Sequence, residues 1–153
     1  MNTPNNTGSW QERLYIALAV AGLIGTWAQV FDYFDAGILG GNIQFWKETF
    51  ATPASTFIVV DIFVLAAAVF MLMFAEGRRL GIGTGWLWGY YLGSVLIGIS
   101  CFVPLFLAHR QRVLRTRHPA QNVAPAGTDL IAVGLAISLA TVMVGYSLMN
   151  IPG

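Results

Sequence analysis

The sequence predicts an all-α protein: a polytopic transmembrane bundle of four helices. Three observations predict it. Hydrophobic residues make up 56% of the 153-residue chain and charged residues only 10%, against roughly 25% charged in an ordinary soluble domain. Apolar residues gather in four runs near the length that crosses a bilayer, about 20 residues for about 30 Å of hydrocarbon. Of the fifteen Lys, Arg, Asp and Glu residues, all but Asp61 fall outside those runs. A chain this small has too much surface to cover with so few charges if it folds in water, and the mean hydropathy of +0.66 agrees.

The four runs are 14–31, 57–75, 86–108 and 130–149, taken as one transmembrane domain over 1–153. The first stands behind Arg13 as a signal peptide would, but it is too long. Thr26, Trp27, Ala28 and Gln29 offer no small-x-small cleavage site, so all four helices are expected to remain. The connection from Asp32 to Ser55 holds Gly37, Gly40, Gly41, Asn42 and Pro53 and reads as a loop. Within it, the stretch from Phe45 to Phe50 has the mixture of an interfacial helix. The glycine-rich connection from Glu76 to Gly85 is tight, which makes helices two and three antiparallel neighbours. A basic linker, 109–128, with four arginines and then Pro119 and Pro125, leads to the fourth helix. Trp10, Trp27, Tyr33 and Phe34 bracket the first run, and Trp86, Trp88, Tyr90 and Tyr91 open the third, as an interfacial aromatic belt would. Small residues four apart mark faces for close packing: Ala17, Ala21 and Gly25; Ser94 and Gly98; Ala132, Ala136 and Ala140.

The net charge of +1 leaves no footprint for nucleic acid, and the single Cys101, inside an apolar run, excludes an intrachain disulfide and a cysteine metal cage. No metal ligand set is expected. His109 and His118 stand nine apart among arginines, whose charge opposes a cation. With four straight spans, five basic residues fall on one side (Lys47, Arg110, Arg112, Arg115, Arg117) and three on the other (Arg13, Arg78, Arg79). The positive-inside rule then puts both termini outside.

Asp61 is the candidate catalytic residue. It lies inside an apolar helix, where a charge costs at least about 2.5 kcal/mol unless it finds water, a partner or a proton. Asp32 and Asp35, just past the first helix, are binding candidates that share a leaflet with Asp61. Glu76 precedes Gly77-Arg78-Arg79 and suits an interfacial ion pair. It stands about 22 Å along a helix from Asp61, too far for a catalytic dyad. Pro104 removes a hydrogen bond to the Ser100 carbonyl and kinks the third helix, and a kink beside Ser100 is a place for a pocket. Arg110, Arg112, Arg115 and Arg117 are candidates for anionic lipid headgroups.

Three strings carry a resemblance: Phe57-Ile58-Val59-Val60-Asp61, Phe74-Ala75-Glu76-Gly77-Arg78-Arg79-Leu80-Gly81, and Gly98-Ile99-Ser100-Cys101-Phe102-Val103-Pro104-Leu105-Phe106-Leu107-Ala108-His109-Arg110. Over roughly residues 12–112 the chain resembles the domain-of-unknown-function 2834 (DUF2834) family of small bacterial membrane proteins. The resemblance implies a short multi-helix inner-membrane protein and draws attention to Asp61, Glu76 and Pro104. It implies no reaction and no cofactor. The arginine-rich linker and fourth helix depart from the shorter family pattern. The function expected is that of a structural or accessory component of the bacterial cytoplasmic membrane, packing with itself, as a homo-oligomer, or with a larger membrane complex, among membrane lipids. Two alternatives are a membrane enzyme acting on an isoprenoid or lipid with Asp61 as proton donor, and a proton or small-solute pathway lined by Asp61 and Ser100.

Overall fold

The computed structural model describes residues 7–117 and 127–149, and these are helical throughout apart from short turns. Helix α1 (Thr7–Trp27) leads into a 3-10 turn, Phe31–Ala36, followed by α2 (Gly37–Thr49), α3 (Pro53–Arg79), α4 (Thr84–Leu96), α5 (Ile99–Arg117) and α6 (Gly127–Met149). No strand occurs among the described residues, so the all-α class holds. One described helix, α3, is long and apolar enough to cross a membrane, and α6 contributes a shorter apolar stretch, Val133–Met149.

The third expected span is corrected. The run 86–108 is two helices that double back on each other at Ile97–Gly98. The amides of Ile97 and Gly98 both reach back to the Gly93 carbonyl, at 2.9 and 3.1 Å, and α5 restarts on the Gly98 carbonyl. The pairing is antiparallel: Trp86 meets His109, Tyr90 meets Phe106, and the Phe102 ring covers Gly93. A side chain at Gly93 would collide with that ring, so the hairpin closes because the position is bare. Ser94 and Gly98 therefore do not share one helix face, since Ser94 is buried in α4 and Gly98 makes the turn.

The connection expected as a loop over 32–55 is mostly helical. Gly41 serves close approach: its α-carbon lies against the Tyr33 backbone, where a β-carbon would clash. Helix α3 then starts on a capping box. The Ser55 amide donates to Thr52 Oγ1 (3.1 Å), the Thr52 amide donates to Ser55 Oγ (3.3 Å), and Pro53 occupies the first turn, where an amide has no partner to lose. It ends on a left-handed glycine, Gly81 (φ 70°), with Ile82 bonded back to the Gly77 carbonyl (2.8 Å) and Gly81 to that of Arg78 (3.1 Å). The tight turn that follows makes α3 and α4 antiparallel, as expected, with Phe74 against Trp88 and Phe70 against Tyr91.

Helix α1 runs antiparallel to α5 along its length. At one end Gln111 bonds Gln11 and Arg115 pairs with Glu12 (2.9 Å). In the middle, Gly22 lets α1 touch the Ser100 backbone, since a β-carbon there would stand 2.5 Å from the Ser100 oxygen. At the far end the Trp27 indole donates to the Ile97 carbonyl (2.9 Å) at the hairpin turn. Helix α6 lies parallel to α1: Gln29 donates to the Ser147 carbonyl (2.7 Å), and the Ser147 hydroxyl donates to the Gly25 carbonyl (2.8 Å). The start of α1 and the end of α6 therefore lie at opposite ends of the bundle, where four straight spans would bring them to one. The buried core of Met73, Leu80, Ile82, Leu87, Phe106, Val113 and Leu114 sits where α3, α4 and α5 meet, toward the arginine-rich end.

Candidate functional site

The expected site residues fall in three places. The first is the polar end where α3 and α5 meet. Glu76 lies just past the apolar stretch of α3 and holds two arginines. Arg79 grips both carboxylate oxygens (Nε 2.7 Å, Nη2 2.8 Å), and Arg110 reaches across from α5 (Nη2 2.8 Å). These bonds, that of Arg79 foremost, hold the Glu76 carboxyl below the usual carboxylate range against the opposing effect of burial. Beside the pair, Tyr90 bonds His109 Nδ1 (3.0 Å), and Trp86 sets its ring edge-on to the imidazole. Burial, and then the nearby Arg112 and Arg117, push the His109 pKa down.

The four arginines expected to meet lipid divide in two. Arg110 and Arg115 are drawn into ion pairs with Glu76 and Glu12. Arg112 and Arg117 are exposed and make no ion pair among the described residues. The expected linker 109–128 is helical as far as Arg117. Its remainder to residue 126, with His118, Pro119 and Pro125, lies outside the described residues.

The second place surrounds Asp61. It is exposed on α3 and has no hydrogen bond or ion pair among the described residues. Its carboxylate borders an open groove of about 760 Å³ that runs from Phe50 and Thr52 past Thr56 to Val64. The flank around it is apolar and uncovered, with Phe57 74%, Val64 67% and Met71 75% exposed. Asp32 and Asp35 are exposed in the 3-10 turn, outside that groove, and no group of His, Cys, Asp and Glu able to hold a metal ion forms among the described residues. Their neighbour Tyr33 donates instead to Glu48 Oε2 (2.6 Å), which raises the Tyr33 pKa and lowers that of Glu48.

The third place is an apolar cleft of about 490 Å³ between α1, α5 and α6. Ser100 and Pro104 line it, with Gly22, Gly25, Val144 and Ser147. Helix α5 continues through Pro104, and the Ser100 carbonyl that loses an amide partner to it is the one packed on Gly22. Ser100 and Asp61 border different cavities, so a shared pathway has no geometric support.

Sequence reasoning missed Trp27, Gln29, Ser147, Gln11 and Glu12 as cross-helix partners. Each contact joins residues about 70 to 120 apart, and no local pattern signals such a pair.

These features define an all-helical protein with one helix of membrane-crossing length among the described residues, and with arginines, paired and unpaired, gathered at one end. The chain belongs to the DUF2834 family, described as proteins of unknown function, whose profile matches residues 14–112. Neither the curated proteins nor the solved structures contain a match to it.

Proposed function

We propose that the chain is a small multi-pass integral protein of the bacterial cytoplasmic membrane, a structural or accessory component that packs with itself or with a larger membrane complex. The uncovered flank of α3 carries this reading: a helix of 27 residues, about 40 Å long, buries only Met73 and Gly77. Contiguous apolar surface of that extent is stable against lipid or a partner and not against water. Asp61, within that flank, is the residue a partner would have to satisfy. The test is alkaline extraction of membranes followed by cross-linking in place from Leu65. The reading expects retention in the membrane pellet and a discrete adduct. Release into the soluble fraction contradicts the membrane assignment, and a strictly monomeric chain with no adduct contradicts the accessory role.

A second reading is a membrane enzyme acting on an isoprenoid or other lipid, with Asp61 as proton donor. The apolar groove beside an unpaired carboxylate favours it. Asp61→Asn would then abolish product formation and leave the thermal transition in place. Unchanged turnover would dispose of this reading.

A further inference from the structure

The doubling back of α4 and α5 changes which basic residues share a side. Arg78 and Arg79 stand at the open end of the hairpin with Arg110, because Glu76 binds Arg79 and Arg110 together. Arg13 joins them at the start of α1, beside the Glu12–Arg115 pair. Seven of the eight basic residues therefore lie at one end, and only Lys47 at the other. Glu12 and Glu76, the acids at the arginine end whose side chains are described, are both already engaged, and Asp129 stands at the same end in the first turn of α6. Lys47 shares its end with Asp32, Asp35, Glu48 and, in the nearer half of α3, Asp61. Four arginines from three helices remain exposed without an ion pair among the described residues: Arg13, Arg78, Arg112 and Arg117.

We propose that this arginine end is the cytoplasmic face of the protein and docks on the anionic phospholipid headgroups of that leaflet, with α1 entering the membrane from the cytoplasm and α6 ending outside. It rests on the membrane reading above. Lipid phosphates fit the surface because the free guanidiniums come from separate helices and spread over the end of the bundle, which matches a plane of anions. The seven-to-one division is also what the positive-inside rule requires of one orientation. The hairpin enters and leaves on the cytoplasmic side, so α4 and α5 together leave the sidedness of the chain unchanged.

Two measurements on the full-length protein test the proposal in a Cys101→Ala background. Membrane-impermeant maleimide applied to intact cells should label Ala51→Cys at once, and Thr116→Cys only after permeabilisation. The reverse pattern, or labelling of both from outside, overturns the orientation. A chain found in the soluble fraction would instead defeat the membrane reading on which the proposal rests. Purified protein in nanodiscs should then show a higher Tm with phosphatidylglycerol than with phosphatidylcholine. The shift should vanish in the variant R13Q/R78Q/R112Q/R117Q and persist when the same four become lysine. These side chains make no ion pair among the described residues, so the variant is expected to fold, and its own melting curve in phosphatidylcholine verifies that. Equal Tm in both lipids, or an undiminished shift in the glutamine variant, overturns the docking.

Discussion

At the scale of single residues, the polar contacts work by leaving few groups unsatisfied in an apolar setting. Glu76 was legible as an ion-pair partner because arginines follow it directly, and Arg79 takes that role. Arg110, the second partner, is 34 residues away and was not legible as such. Glu76→Gln should cost about 1.5–3 kcal/mol, the range for a hydrogen bond to a charged group. The folded carboxyl titrates below its ordinary range, chiefly because of Arg79, so it stabilises the fold fully above that range. This contribution is lost as pH falls through the lowered value. Thermal melts in acid should show the decline in the native chain and a flatter limb in Glu76→Gln. Trp27→Phe keeps an aromatic ring but strips the donor from the Ile97 carbonyl at the hairpin turn. The loss should be about 1–3 kcal/mol if the carbonyl finds no other donor, read as a fall in Tm in detergent. Trp27 was expected to be only an interfacial aromatic, and its donor role depends on a turn that hydropathy does not reveal.

At the scale of elements, glycine decides where helices stop and where they touch. The α3–α4 turn was legible, since Gly81, Gly83 and Gly85 crowd a short polar segment, and Gly81 there adopts a left-handed conformation. Gly81→Ala should destabilise by about 1–2 kcal/mol for that reason. The α4–α5 turn was not legible, because residues 86–108 are apolar throughout and hydropathy does not see the chain reverse. Gly93 and Gly98 were its marks, and glycine in an apolar helix is ordinary in membrane proteins. Gly93→Leu should pry the hairpin open against Phe102, and overpacking of this kind costs typically about 1–3 kcal/mol. Hydrogen exchange would show the opening as lost protection in α4 and the start of α5. Of the stripe Ala17, Ala21 and Gly25, Gly25 packs on Val144 while Ala17 is exposed, and Gly22, outside that stripe, makes the close contact with Ser100. The stripe through Ala136 and Ala140 is exposed, and the side chain of Ala132 lies outside the described residues.

At the scale of the whole molecule, the low charge content is sorted between the two ends of the bundle, with Asp61 the exception on the uncovered flank of α3. Helical class and the existence of an apolar span were legible from composition and run length. The sidedness of the charges was not, because counting loops assumes that each apolar run crosses the membrane once. Everything that follows about orientation, lipid contact and the available flank depends on the run 86–108 doubling back. Spin labels at Gly85→Cys and Arg112→Cys, in the Cys101→Ala chain in native-like bilayers, measure this directly by pulsed electron resonance. The hairpin places the neighbouring Trp86 and His109 rings 5.7 Å apart, so a single short distance is expected. A continuous helix separates the labelled positions by about 40 Å, and a distance near that value would contradict the account.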